Sequence, residues 1–101
     1  MPYAEDIHKL KKIDLNTMVF FVVYMKYRKM SSVSTILKCS VATASIMLRR
    51  FCENFREVLF ERKSRNLTPT LFAQELFLKC EKIVDSLCDI YIGNESCPVS
   101  S

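Results

Sequence analysis

Beyond Pro69 the chain carries an apolar pattern that no isolated helix can satisfy. Ala73, Phe77, Cys80, Val84, Leu87 and Tyr91 recur at alternating four- and three-residue steps, the spacing of a coiled-coil seam. A second stripe runs beside it through Phe72, Leu76, Cys80, Ile83, Leu87 and Ile90. Pro69 blocks an earlier start and Thr70 is a good N-cap, so the pattern predicts one helix over about 70–91. A helix with two apolar stripes needs two surfaces to cover them. One is the domain to which it belongs. The other is most simply a second copy of the same chain, so Ala73, Phe77, Cys80, Val84, Leu87 and Tyr91 are the candidate dimerisation residues.

The upstream residues must then fold into something that offers this helix an apolar face. One Gly and three Pro in 101 residues leave little material for tight turns, which favours helices over hairpins. Residues 1–13 are polar and mixed and read as an N-terminal arm. Asp14 can cap a helix over about 15–28, with Leu15, Met18, Phe21, Val22 and Met25 on one face. Ser31 or Ser32 can open a short helix over 31–38, and Ser40 a third over 41–55. Ala44, Leu48, Phe51 and Phe55 line the inner side of that third helix. The link before it is only about three residues long, which predicts a helix–turn–helix. "VLFE" and "NLTP" then read as two short strands with Lys63, Ser64 and Arg65 at their tip. The expected fold is mostly α: a three-helix core plus a small two-stranded β-finger over 14–69, followed by a long dimerisation helix.

Charge is unevenly placed. Lys26 to Arg65 hold ten Lys/Arg against three Asp/Glu, a local excess of +7, while the rest holds five basic and eight acidic residues. A basic middle points to a negatively charged partner docked on one part of the surface. The five Cys form no CxxC pair and there is one His, His8, so no metal site is expected. The cysteines read as reduced, mostly buried thiols of a cytosolic protein. "MVFFVVYM", residues 18–25, is far shorter than the ~20 residues needed to span a bilayer, and no signal-peptide cleavage site follows it. No membrane partner is expected. No nucleophile–base pair and no phosphate-cradling Gly loop is present, so an enzyme is not expected and no cofactor is called for.

The order helix, helix–turn–helix, basic-tipped hairpin, long helix resembles the N-terminal winged helix–turn–helix of LysR-type transcriptional regulators, from Leu15 to about Leu87. The match is densest where that family reads Leu-Phe-x-Arg, a basic tip, then a Thr that opens a long linker helix. Here those residues are Leu59, Phe60, Arg62, the Lys63-Ser64-Arg65 tip, and Thr70 with Ala73. Leu15, Phe21 and Val22 fit the first helix, and Ser40, Ser45, Leu48 and Arg49 fall at the family's Ser, Ser, aliphatic and basic positions. The chain departs from the pattern at Val41 and Ala42, where Gln and Pro are usual. It departs again at Ile46 and Ser32, where cations are usual, and at Arg56, where Gly is usual.

The resemblance implies a bacterial transcription factor that binds promoter DNA as a homodimer, works in the cytoplasm and is nucleoid-associated when bound. Ser40 and Thr43 are then placed to bond phosphate or a base, with Ser31, Ser32 and Ser45 nearby. Val41, Ala42 and Ile46 offer only apolar contacts, such as with thymine methyls. Arg49 and Arg50 reach toward the backbone, and Arg62, Lys63 and Arg65 lie along a groove or flanking phosphates. Plainer readings stand beside these. Ser40 is a helix cap in either case, Val41 and Ile46 pack on a neighbour, Arg50 pairs with Glu53 or Glu57, and the tip is a solvated loop. Residues 92–101 read as a tail in which "DIYIGNESC" resembles the opening strand of an effector-binding domain, so a small-molecule effector is expected only if a longer chain exists. The rival reading is a winged-helix interaction module that pairs with another regulator and binds DNA weakly or not at all.

Overall fold

In a computed structural model, which describes residues 6–93, Asp14 starts the first helix as its sequence suggests. The Asp14 carboxylate accepts from the Asn16 N–H at 2.9 Å, and helix α1 runs Leu15–Tyr27. Helix α2 covers Met30–Ile36 and helix α3 Val41–Cys52. Strands β1, Phe60–Lys63, and β2, Asn66–Pro69, pair antiparallel with Phe60 opposite Pro69 and Lys63 opposite Asn66. Helix α4 spans Leu71–Cys88 and widens into a π-helical turn over Asp89–Gly93. This is a three-helix bundle with a two-stranded wing and a long final helix: a winged helix–turn–helix.

The turn between α2 and α3 is built from backbone hydrogen bonds. Lys38 sits in the left-handed region at φ 56°, and the Cys39 N–H reaches back to the Ser34 carbonyl at 3.0 Å. That is the closing bond of a Schellman motif, with lysine in the place usually held by glycine. Chain direction swings through 101° between α2 and α3, within the range of helix–turn–helix units.

The core joins the four α-helices and the base of the wing. Phe21, Val22 and Tyr24 of α1, Val33 of α2, Ala44, Leu48 and Phe51 of α3, Leu59 before β1, and Ala73 and Cys80 of α4 are all buried. Six rings make a line of contact from the wing to the last helix. Tyr24 meets Phe60 edge-on at 5.4 Å, Phe60 meets Phe21 at 6.2 Å, and Phe21 stacks on Phe51 at 4.6 Å. Phe51 then meets Phe55 at 5.2 Å, and Phe55 meets Phe72 at 5.9 Å. Thr70 fastens the base of the wing to α4. Its hydroxyl donates to the Val58 carbonyl at 2.7 Å and accepts from the Ala73 N–H at 3.2 Å, while its own N–H donates to Leu59 at 2.9 Å.

Several boundaries differ from the sequence expectation. Part of the arm, Ile7–Lys12, forms an exposed 3-10 helix. Helix α2 starts at Met30, so Ser31 and Ser32 lie in its first turn and neither caps it; the cap position is Lys29. The link to α3 has four residues, 37–40. Helix α3 stops at Cys52, where the Asn54 side chain donates to the Phe51 carbonyl at 3.1 Å and competes with further helical bonding. Strand β1 begins two residues later than "VLFE", because Leu59 is drawn into the core and bonded to Thr70. Asp89–Gly93 continues the helix as a π turn and is not a strand; the rest of "DIYIGNESC" lies outside the described residues. Of the cysteines, Cys80 alone among the described residues is buried, Cys39 and Cys52 are half-buried, Cys88 is exposed, and Cys97 lies outside them.

Candidate nucleic-acid interface

Ser40 begins α3 with an extended backbone, and its Oγ accepts the Thr43 N–H at 3.0 Å. The same hydroxyl donates to Thr43 Oγ1 at 3.0 Å. Thus the two hydroxyls orient each other, and Thr43 keeps its own hydrogen for an outside acceptor. Helical spacing sends Ala44, Leu48 and Phe51 inward, and it leaves Val41, Ala42, Thr43, Ser45, Ile46, Arg49 and Arg50 exposed. Val41 is 48% and Ile46 39% exposed, so neither is packed away against a neighbour. Arg50 forms no ion pair with Glu53 or Glu57; among the described residues only Lys9–Asp6 and Lys26–Glu81 make one, each at 3.2 Å.

The other nominated residues fall into three places. Ser31 and Ser32 line a shallow depression with Tyr27, Thr35 and Ile36, where α1 ends and α2 begins. Within it the Ser31 carbonyl already accepts the hydroxyls of Ser34 and Thr35, at 2.9 and 3.0 Å. Arg49 lines a second depression with Glu53, Arg56, Glu57 and the start of β1, where two cations and two carboxylates offset one another.

The wing cations are divided by strand alternation. Ser64 and Arg65 make a two-residue turn, with Ser64 at φ 55° and Arg65 outside the positive region, the φ pattern of a type II′ hairpin. Phe60 faces α1 through its contacts with Tyr24 and Phe21. Arg62, two residues on, shares that face, whereas Glu61 and Lys63 take the other. Arg62 and Arg65 line a cleft with Arg28, the residue at the C-cap of α1. The Arg28 guanidinium donates from Nη2 to the Leu67 carbonyl at 3.2 Å, across 39 residues of chain. No local pattern announces such a contact; the basic run at the end of α1 was its only trace.

The candidate dimerisation residues also separate. Ala73 and Cys80 are buried inside the domain itself, and Phe77 and Val84 pack against its core. The heptad seam is therefore chiefly the domain-facing one, because α4 lies along α1 through it. Burial pushes the Cys80 thiol above the ordinary cysteine value, and burial does the same, more than any other cause, at Cys52. Leu87 is half-buried and Tyr91 exposed. Ile83 and Ile90 of the second stripe are exposed as well, so apolar surface open to solvent gathers at the distal end of α4.

Among the described residues no group of three or more His, Cys, Asp or Glu side chains is placed to hold a metal. Among the described residues no single helix is long and apolar enough to cross a membrane.

No protein-family model matches the chain, and no curated protein matches it. Among solved structures it is similar to the crystal structure of the probable transcriptional regulator PA0477 from Pseudomonas aeruginosa, with a TM-score of 0.69 and 24% identity. The match covers 79% of this chain and 27% of that one. The likeness is one of fold, and the chain spans about a quarter of that protein's length.

Proposed function

We propose that the chain is a sequence-specific DNA-binding unit of LysR type that engages promoter DNA as a homodimer. The observation that carries this reading is the outer face of α3. A capped helix, held at the second position of a helix–turn–helix, presents Val41, Ala42, Thr43, Ser45, Ile46, Arg49 and Arg50 to solvent. On the wing, Arg62, Lys63 and Arg65 have no carboxylate paired to them among the described residues. A major groove accepts such a helix, and unpaired cations on the flank release counterions from phosphates.

In this reading residues 1–13 are an arm, 14–69 the DNA-binding domain, 70–91 the linker helix and 92–101 a tail. The second copy meets the distal half of α4 and the π turn after it through Ile83, Leu87 and Tyr91, since Ala73 and Cys80 are covered by their own domain. An effector enters only through a longer chain. The protein works in the cytoplasm, on the chromosome.

The second reading is an interaction module paired with another regulator, and the exposed Val41 and Ile46 favour it, because a recognition helix poor in base-reading polar groups also suits a protein surface. Fluorescence anisotropy on fragments selected from genomic DNA, repeated from low to moderate salt, decides between them. Affinity that falls steeply with salt supports the DNA reading. Absence of binding at low salt, together with a stoichiometric protein partner, supports the module.

A further inference from the structure

Arg28 occupies a backbone position that favours glycine. It ends α1 at φ 61° and ψ 21°, with its N–H on the Tyr24 carbonyl. From there its side chain crosses to β2 and grips the Leu67 carbonyl. That single bond uses one of the five guanidinium donors and fixes the group in place. Arg62 stands on the same face of the wing, cross-strand from Leu67, and Arg65 stands at the turn. The three arginines line one cleft of about 470 Å³ that no carboxylate lines. Tyr24 also lines it; the residue is 5% exposed, and its hydroxyl has no hydrogen-bond partner among the described residues.

Three like charges gathered without a counter-charge, beside the unpartnered hydroxyl of a largely buried tyrosine, make an unfinished site. What finishes it is a compact anion with several acceptor oxygens, the geometry that guanidinium forks match. We infer that this cleft seats one phosphate group, and that in the working complex the phosphate is a backbone diester of the duplex. The inference rests on the DNA reading above for the source of the phosphate, but not for the cleft itself. Arg28 would then act as the inner anchor of the wing, holding β2 by its carbonyl and the duplex by its remaining donors. Such a contact sets register on the duplex and carries no sequence information.

The test uses the full chain and the Arg28→Gln and Arg28→Lys variants, each first checked for an unchanged thermal transition. In duplex titrations, Arg28→Gln should make the slope of log K against log salt shallower by about 0.9 and weaken all sequences alike, whereas Arg28→Lys keeps the slope. In parallel, inorganic phosphate is titrated into the free chain while the Leu67 and Thr68 amides and the arginine side-chain resonances are followed by NMR. A slope change places the diester in the cleft. Phosphate-dependent shifts that vanish in Arg28→Gln, with no slope change, assign the cleft to a free phosphate instead. The same shifts in a chain that binds no duplex would keep the cleft and remove the DNA reading. An unchanged slope together with unmoved resonances overturns the inference.

Discussion

The outer face of α3 and the wing lie on one domain yet differ in chemistry. The helix offers methyls and hydroxyls at Val41, Ala42, Thr43, Ser45 and Ile46, with Arg49 and Arg50 only in its last turn. The wing offers arginines and a lysine, and the cleft on its Arg28-facing side is lined by three arginines and no carboxylate. An apolar face gains most from shape and thymine methyls, and it responds little to ionic strength. A cationic finger gains from counterion release and is blind to sequence. The contrast divides the proposed labour: the wing holds the duplex, and the helix discriminates weakly through apolar contacts.

The largest effect expected is loss of both surfaces together. Phe51 is 2% exposed and stacks on Phe21, so Phe51→Ala should cost about 3–5 kcal/mol, much of the stability of a domain this small. Calorimetry should show a collapsed or absent transition; a wing that still melts normally would mean that the two regions are not packed as one. Next comes Thr70→Ala, which removes a helix cap and the bond to Val58, at about 1–2 kcal/mol. Hydrogen exchange should rise at β1 and β2 and stay low in α3, so equal deprotection of both would contradict a separate wing anchor.

The comparison itself is sharpened by a matched pair. Arg65→Ala should weaken binding to every duplex and make the salt slope shallower by about 0.9, whereas Ile46→Ala should alter which sequences are preferred and leave the slope alone. Competition titrations at two salt concentrations measure both, and exchanged phenotypes would reverse the assignment. The smallest effect concerns Lys26, whose ammonium bonds Glu81 of α4 at 3.2 Å. That hydrogen bond, and then its Coulombic attraction, raises the Lys26 pKa above the ordinary 10.5. A raised lysine stabilises fully below the unfolded value and loses that stabilisation as pH climbs through the folded one. Lys26→Met should thus differ from wild type slightly near neutrality and not at all in strong alkali, by denaturant melts.

Local signals were legible because they act within a turn or two. Asp14, Ser40 and Thr70 cap the helices they were expected to cap, through side-chain bonds over two or three residues. The wing was readable from its spacing, although its start moved when Leu59 was recruited to the core. Nothing within a short window, by contrast, reports that Arg28 meets Leu67. Periodicity likewise showed two stripes on α4 without saying which lies on α1. Both stripes meet the domain early in α4, where Phe72 and Leu76 pack on the core beside Ala73, Phe77 and Cys80; they part only further on, where Val84 keeps that contact and Ile83 and Ile90 are exposed. The candidate site was consequently clear on α3, half-seen on the wing and hidden at the end of α1.

The unbroken file of rings from Tyr24 to Phe72 has a mechanical meaning. Close-packed interiors transmit displacement instead of absorbing it, so a tilt of α4 carries α3 with it. If two copies join along α4, the pitch at which those helices cross becomes a gauge for the separation of the two reading heads. Half-sites about 34 Å apart demand one setting of that gauge, and any signal that twists the junction retunes it.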